Sequence, residues 1–261
     1  MSTPEYTLYE LVSREDNKES QTGHSPYVNK TKADLAILGV PYKSVPLTFI
    51  GVRNNLASDT KNDVVTVPTL QLSSGEYITD SFKIAEYLQK HHATEDKSLF
   101  PSPDSHASIR FLDFWIDGDL VIAIRELFRP LFWTNLDKAS ADYFLEFKYG
   151  NDQALLDDHL ATLGSVEKLN KKAEVAREKL KTLDRLLAEA PNGGPFILGT
   201  KPSHADASLW GWYAASQVNA PVINELLWEH PSLPNVAKWV AAAKEATGIK
   251  FNFPPAKITP K

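Results

Sequence analysis

The chain has 261 residues, of which 43% are hydrophobic and 23% are charged, and its formal net charge is −5. This length favours two domains, the composition is ordinary for a globular protein, and the acidic balance argues against nucleic acid as a partner. The chain has no cysteine, which excludes disulfides, thiolate metal sites, a cysteine nucleophile and a dithiol redox cycle within it.

The pattern of the first ninety residues predicts a mixed sheet. Strands are predicted at residues 6–12, 42–49, 64–72 and 77–78, and helices begin at Ser25-Pro26 and Asp80-Ser81. Serine at the N-cap and proline at the first helical position are favoured starts, and Gly39 is a favoured stop. The order β-α-β followed by β-β-α is typical of a thioredoxin-like, four-stranded mixed sheet, here assigned to residues 1–92.

The remainder of the chain predicts an all-helical domain over residues 107–261, reached through a polar, proline-rich linker at 93–106. Residues 109–133 are apolar almost all round, as in a central bundle helix, although Asp113, Asp117 and Asp119 interrupt them. Residues 166–187 place apolar side chains at alternating spacings of three and four, which predicts one long bundle helix. Further helices are expected from Ser203, Pro221 and Leu233, and the tail from Phe251 is expected to cross the surface. The predicted fold class is therefore α+β.

Several classes of site and location are disfavoured. No apolar run reaches the about 18 residues that a membrane span needs, and residues 1–10 lack the basic and apolar regions of a secretory signal. The seven histidines show no zinc-like spacing. We therefore expect a cytoplasmic protein with no membrane partner and no metal site.

Four short motifs, in this order along the chain, resemble those of the soluble glutathione transferases. They are Ser25-Pro26-Tyr27, Val67-Pro68, Asp80-Ser81, and Ser203-His204-Ala205-Asp206 shortly after Phe196-Ile197-Leu198-Gly199. An inserted segment after the first strand, residues 13–24, makes the chain similar to the fungal-specific A class, which is related to the bacterial β-etherases. The last motif matches a buried helix-capping box, for which a stabilising role is expected.

The resemblance implies that glutathione is the co-substrate and that Ser25 stabilises its thiolate. A helix N-terminus favours an anion, and a serine oxygen can accept from a backbone N–H while its hydrogen points at the sulfur. Ser13, at the end of the first strand, is an alternative because the insertion shifts the alignment, and Tyr27 is a second alternative.

The resemblance also assigns the glutathione-binding residues. It places a cis peptide at Val67-Pro68, so that the main chain of Val67 faces the tripeptide. It implies that Asp80 holds the ammonium group of glutathione, while Ser81 and the helix N-terminus hold its α-carboxylate. Asp and Ser are also ordinary helix-start residues, which is compatible with this role.

The inserted segment 13–24 is longer than the usual βα connection of about 2–6 residues. Turn-forming residues at Asn17-Lys18 and Thr22-Gly23 predict a small hairpin beside the sulfur end of the site. We expect this hairpin to act as a lid over bound glutathione.

The predicted function is conjugation of glutathione to small hydrophobic or aromatic electrophiles, in detoxification. A ligandin that carries aromatic compounds with little turnover is the alternative. Trp115, Trp133, Trp210 and Trp212 are expected mainly in the core, with some aromatic side chains lining the pocket. The family usually forms homodimers, and the insertion leaves a dimer of altered geometry or a monomer open.

Overall fold

The four strands form one sheet in the order β2-β1-β3-β4 in the computed structural model, which describes residues 6–253, 257–258 and 260–261. The strands are β1 Tyr6–Leu11, β2 Tyr42–Leu47, β3 Thr69–Gln71 and β4 Tyr77–Thr79. β1 is parallel to β2 and antiparallel to β3, which is antiparallel to β4. The mixed thioredoxin-like sheet predicted from the sequence is confirmed.

Three helices cover this sheet. They are α1 Pro26–Leu38, α2 over residues 49–60 with a central π-helical turn, and α3 Ser81–His92. α1 ends where predicted, because Gly39 adopts the left-handed conformation (φ 73°) and its N–H donates to the last turn. Tyr6 and Leu8 of β1 pack on the α1 and α3 side, while Tyr9 and Leu11 pack on the α2 side.

Three predicted strands are longer than the observed ones, β1 by a single residue. β2 ends at Leu47 rather than at residue 49, because Thr48 caps α2 by accepting from the N–H of Gly51 (3.2 Å). β3 begins at Thr69 rather than at residue 64. Pro68 lacks an N–H for the ladder and closes the strand on that side.

The second domain is all-helical, as predicted. Its helices are α4 over residues 105–127, α5 Arg129–Trp133, α6 Lys138–Tyr149, α7 Gln153–Leu163, α8 Val166–Ala188, α9 His204–Ser216, the single π-helical turn α10 Asn224–Trp228, and α11 Pro234–Thr247. The single helix predicted over 109–133 is wrong, since the backbone leaves the helical conformation at Phe128 (φ −149°). Pro130 causes this break, because its ring excludes a helical turn before it.

The long helix α8 confirms the heptad interpretation. The apolar positions of its stripe from the second onward are buried: Leu169, Ala173, Ala176, Leu180, Leu183 and Leu187. α9 is buried along its whole length and packs on α1, so the two domains share one core.

The predicted capping box at the start of α9 is present, with Ser203 and Asp206 as reciprocal partners. Asp206 also accepts from the N–H of Ile197 and from Nε1 of Trp239, both at 3.0 Å. Burial raises the pKa of Asp206 against the effect of these hydrogen bonds. The box therefore ties the preceding loop and α11 to α9.

Within the part of the chain that the structure describes, no helix has both the length and the apolar character to cross a membrane. The same residues contain no group of three or more histidine or acidic side chains that could hold a metal ion.

Candidate active site

Two of the predicted binding motifs meet where β3 begins and β4 ends. Thr69 lies opposite Tyr9 on β1 and opposite Thr79 on β4. Pro68 immediately precedes β3 and Asp80 immediately follows β4, so the two residues are neighbours at the same edge of the sheet.

The start of α1 reaches this edge through one backbone hydrogen bond. The N–H of His24 donates to the carbonyl of Leu11, the last residue of β1 (3.0 Å). Because β1 runs between β2 and β3, this bond places Ser25 at the same edge as Pro68 and Asp80. All of the predicted site residues therefore converge there.

Ser25 is the N-cap of α1, as the sequence predicted. Its backbone is extended (φ −70°, ψ 121°), and its Oγ accepts from the N–H of Val28 (3.4 Å). Oγ accepts in this bond, so its own hydrogen remains available to a further acceptor. The dipole of α1 and the N–H of Tyr27, which no described residue accepts, favour an anion at this point.

Tyr27, one of the two alternatives, faces the second domain. Its ring lies 5.8 Å from that of Trp212, and Nζ of Lys30 lies 5.3 Å from its centroid. Burial, followed by the carboxylates of Asp117 and Asp113, raises the pKa of Tyr27 to about 12. The phenol therefore stays protonated at neutral pH.

Val67 has a main chain that is free to bind a ligand. The Val67-Pro68 peptide is cis, as expected. Neither the N–H nor the carbonyl of Val67 has a hydrogen-bond partner among the described residues. One donor and one acceptor are thus available beside Asp80.

Asp80 serves as a helix cap with one carboxylate oxygen only. Its Oδ1 accepts from the N–H groups of Phe82 and Lys83, each at 3.0 Å. No described residue bonds to its Oδ2, and its φ of 94° is unusual for a residue other than glycine. Ser81 is buried at the first position of α3. The ordinary capping role is therefore present and leaves one oxygen for a ligand.

The inserted segment 13–24 is not a hairpin, and that prediction is wrong. All of its residues are described, and its only regular element is a 3₁₀ turn over Lys18–Ser20. Hydrogen bonds of the Gln21 side chain close the loop in place of the hydrogen bonds between two strands. Its Oε1 accepts from the N–H groups of Ser13 (3.0 Å) and Arg14 (3.1 Å), and its Nε2 donates to the carbonyls of Arg14 and Asp16.

This loop also contacts the rest of the molecule. The carbonyl of Ser13 accepts from the N–H of Asp137 at the start of α6 (3.2 Å). Oγ1 of Thr22 accepts from the N–H of Asn252 in the C-terminal tail (2.7 Å). The loop therefore lies between the two domains, next to Ser25.

His24 is a functional candidate that the sequence motifs do not indicate, because the spacing of the histidines bears only on metal binding. The position of His24 immediately before Ser25 was the available signal. The side chain is 3% exposed, and neither ring nitrogen has a partner among the described residues. Most buried polar groups are paired, and leaving one unpaired costs about 1–3 kcal/mol. Burial lowers the pKa of His24 to about 4, so the imidazole is neutral at physiological pH.

A row of rings, here called the aromatic ladder, connects His24 to the surface. Its successive centroid distances are 4.2 Å for Phe147 and Tyr143, 5.3 Å for Tyr143 and Phe49, 6.0 Å for Phe49 and His24, and 4.9 Å for His24 and Phe132. Phe147 is 60% exposed, whereas Phe132 is buried. Phe49 comes from the first domain and the other three aromatic residues come from the second. The ladder therefore crosses the domain interface beside Ser25.

A buried ionic cluster fixes α1 against the second domain. Lys30 is fully buried, and its Nζ lies 2.7 Å from Oδ1 of both Asp113 and Asp117 on α4. From α9, Ser208 donates to Asp113 (2.7 Å) and Trp212 donates to Asp117 (2.8 Å). Burial opposes ionisation of Asp113, but the charge and hydrogen bond of Lys30, together with smaller contributions from other neighbours, hold the pKa of Asp113 below its usual value.

The four tryptophans singled out in the sequence differ in exposure. Trp210 and Trp212 are buried on α9, while Trp115 and Trp133 are half-buried. The expected core role is thus clear for the first pair.

A groove of about 880 Å³ lies elsewhere on the molecule. It is lined by the carboxyl end of α3 near Gln89, by the interdomain linker and by the loop around Lys201. Gln89 is about two helical turns from Ser81, so this groove is separate from the edge that carries Ser25.

Comparisons with known proteins agree with this architecture. Residues 24–91 match the family model of the glutathione S-transferase N-terminal domain, and residues 154–242 match that of the C-terminal domain. Together the two matches cover more than half of the chain.

Three solved structures show the breadth of the likeness in fold. A glutathione S-transferase of Ceriporiopsis subvermispora, in complex with glutathione, is 20% identical with a TM-score of 0.75, covering 94% of this chain and 98% of its own. The glutathione transferase GSTFuA3 of Phanerochaete chrysosporium is 18% identical with a TM-score of 0.72, covering 96% and 99%. Glutaredoxin 2 of Salmonella typhimurium, in complex with glutathione, is 19% identical with a TM-score of 0.65, covering 95% and 97%. With both domain models matched in order on a fold of this kind, the chain belongs to the glutathione transferase superfamily.

Proposed function

We propose that this protein conjugates glutathione to small hydrophobic or aromatic electrophiles, with Ser25 stabilising the thiolate. The observation that carries the proposal is the convergence of Ser25, the free main chain of Val67 and the free Oδ2 of Asp80 at one sheet edge. Glutathione is also the molecule bound in the Ceriporiopsis enzyme and in the Salmonella glutaredoxin. We place the reaction in the cytoplasm, where the glutathione pool keeps thiols reduced.

The energetics of thiol ionisation support Ser25. The thiolate is the nucleophile, and lowering a thiol pKa by two units requires about 2.7 kcal/mol. The N-terminus of a helix contributes about 0.3–2 kcal/mol, and a hydrogen bond to a charged group contributes about 1.5–3 kcal/mol. Ser25 combines both, because its hydroxyl hydrogen is available and it caps α1.

The remaining contacts would hold the tripeptide in one orientation. Val67 offers one main-chain donor and one acceptor to its backbone. Asp80 would accept from the ammonium group through Oδ2, while the hydroxyl and N–H of Ser81, at the N-terminus of α3, would hold the α-carboxylate. The sulfur end then points towards Ser25 and the aromatic ladder.

A ligandin function is the second candidate, and the aromatic ladder favours it. Rings from both domains pack together next to Ser25, and such an apolar surface suits flat apolar compounds with or without turnover. Thiol exchange of the glutaredoxin type needs a protein cysteine, which this chain lacks.

The test combines glutathione titration by calorimetry with turnover assays on a panel of aromatic electrophiles. For Ser25→Ala we expect glutathione affinity within a few-fold of the wild type and a higher pKa of the bound thiol, read from its ultraviolet absorbance. Ser13→Ala is the matched control and should leave that pKa unchanged. A raised thiol pKa in Ser13→Ala alone would transfer the role to Ser13. Glutathione binding without turnover on any electrophile would favour the ligandin.

The homodimer of altered geometry stays a proposal. Light scattering of the purified protein over a concentration series measures it directly.

A further inference from the structure

His24 combines three properties that no structural role in the fold accounts for. The imidazole is buried, both of its nitrogens lack partners among the described residues, and it directly precedes Ser25. A neutral imidazole carries one N–H donor and one acceptor, and burying both unpaired costs free energy. Each buried polar group without a partner calls for an explanation, and for a side chain next to Ser25 with both nitrogens unpaired a bound molecule is one.

The surroundings of His24 define what could satisfy it. Its ring lies between Phe49 of the first domain (6.0 Å) and Phe132 of the second (4.9 Å). A water molecule needs two to four polar partners, and the flanking rings supply none. A flat apolar molecule with a single polar substituent would instead pack on the rings and pair with the imidazole.

The aromatic ladder links His24 to the surface through a line of side-chain contacts. Phe49 is half-buried and stacks on Tyr143 (5.3 Å), which in turn stacks on the exposed Phe147 (4.2 Å). These contacts join side chains of α2 and α6, which belong to different domains. Rotation of the Phe49 and Tyr143 rings would open a path from solvent to the imidazole without breaking a hydrogen bond of the backbone.

We propose that His24 is a specificity-determining residue, which hydrogen-bonds the uncharged polar substituent of an aromatic second substrate held beside Ser25. This inference rests on the proposed function and names the group that selects among its aromatic substrates. A hydroxyl substituent suits the site best, because it can both donate and accept and therefore pairs with either nitrogen. Burial keeps the imidazole neutral, so it offers no charge to an anionic substituent.

The experiment uses two ligands that differ only in one hydroxyl, 2-naphthol and naphthalene. Their dissociation constants are measured by tryptophan fluorescence for the wild type, His24→Phe, His24→Gln and His91→Phe. His91 is an exposed histidine on α3 and provides the matched control. In His24→Phe we expect naphthol to bind about tenfold more weakly, with naphthalene affinity kept within about twofold. His24→Gln should restore part of the preference, and His91→Phe should resemble the wild type.

Two results would overturn the inference. One is an unchanged preference for naphthol in His24→Phe, and the other is an equal loss for both ligands, which would mean that His24 only packs. If His24→Phe does not fold, the imidazole ¹⁵N resonances of the wild type decide the matter. They should shift on saturation with naphthol but not with naphthalene, and identical spectra would contradict the role.

A glutathione titration of the same variants separates this inference from the proposed function. We expect all four proteins to bind glutathione within about twofold of one another, since His24 is placed on the second substrate. Failure of the wild type to bind glutathione would refute the transferase function. The naphthol and naphthalene affinities would still decide whether His24 binds the hydroxyl group.

Discussion

Gly211 of α9 lies against the carbonyl of Pro26, the first residue of α1, with no space for a side chain. A Cβ at position 211 would overlap the carbonyl oxygen of Pro26 and lie 2.7 Å from Cγ of Lys30. Glycine is therefore required here by a close approach of two helices rather than by its φ angle. The contact fixes the end of α1 that carries Ser25.

We expect Gly211→Ala to lower the free energy of unfolding by about 1–3 kcal/mol, because the added methyl group forces α9 away from α1. Urea denaturation measures the change. Gly118→Ala is the matched control, since no atom outside its own stretch of helix backbone lies within 4 Å of a Cβ at that position. It should not destabilise the protein, and equal losses in both variants would contradict the close-approach argument.

Lys30→Met should be strongly destabilising, because it leaves Asp113 and Asp117 without their buried cation. Removal of one partner from a buried ion pair costs about 3–5 kcal/mol. Lys179→Met is the control, since Lys179 and its partner Asp119 are both exposed and such pairs contribute about 0–1 kcal/mol. Urea midpoints for the two variants test this, and similar values for both would refute the assigned role of Lys30.

The features of this fold that could be predicted from the sequence are those that depend on residues close together along the chain. The start of α1 at Ser25, its end at Gly39, and the capping box at Ser203 each depend on residues within one helical turn, and all three were predicted. The buried face of α8 also follows from local spacing.

Long-range and side-chain-specific contacts could not be predicted in this way. Lys30 and Asp113 are 83 positions apart, and nothing local distinguishes either from a surface charge. The Gln21 side chain replaces the ladder of the predicted hairpin, although turn-forming residues are present at the expected places. His24 was missed because an unpaired imidazole is a property of its neighbours in space.

His24 should make stability depend on pH in the acid range. The pKa of His24 is lowered from 6.5 to about 4 in the folded protein by burial. The unfolded chain therefore binds a proton as pH falls through 6.5 while the native state does not. Stability that is fully present above pH 6.5 is lost towards pH 4, by about 3 kcal/mol in total.

In His24→Phe the pH-dependent contribution of His24 to the free energy of unfolding should be absent. Other titrating groups affect the variant and the wild type alike, so the difference between their free energies of unfolding isolates His24. Urea denaturation at pH 7.5, 6, 5 and 4 should show the variant gaining on the wild type as pH falls. A difference that stays constant with pH would mean that the imidazole is charged or solvated in the native state.

Asp80→Ala should weaken glutathione binding by about 1.5–3 kcal/mol, the scale of a hydrogen bond to a charged group. The variant also loses two capping bonds of α3, so a second cap is needed for comparison. Asp152 caps α7 in the second domain by accepting from the N–H of Leu155 (2.9 Å). Asp152→Ala should lower stability but leave the calorimetric affinity unchanged. If Asp80→Ala bound glutathione with the affinity of the wild type, the role of Asp80 would be limited to capping α3.

The loop 13–24 is expected to act as a lid, and its contacts determine how that can be tested. It is closed at its base by Gln21 and contacts α6 and the C-terminal tail through single bonds from Ser13 and Thr22. Oγ1 of Thr48 also donates to Glu15 of the loop (2.9 Å). The loop can still move as one body, because the hydrogen bonds of Gln21 within it outnumber its bonds to any one neighbouring element. Bound glutathione would add contacts on its inner side and slow its opening.

We therefore expect the amides of residues 13–24 to exchange more slowly with solvent when glutathione is saturating. The turn at residues 72–76 joins β3 to β4 at the end of the sheet opposite Asp80 and provides the internal control. The exchange rates of its amides should not change. Gln21→Ala removes four hydrogen bonds at the base of the loop, so its amides should exchange faster and the bound tripeptide should dissociate faster. Protection that is the same with and without glutathione, in both the wild type and Gln21→Ala, would make the segment a fixed insertion rather than a lid.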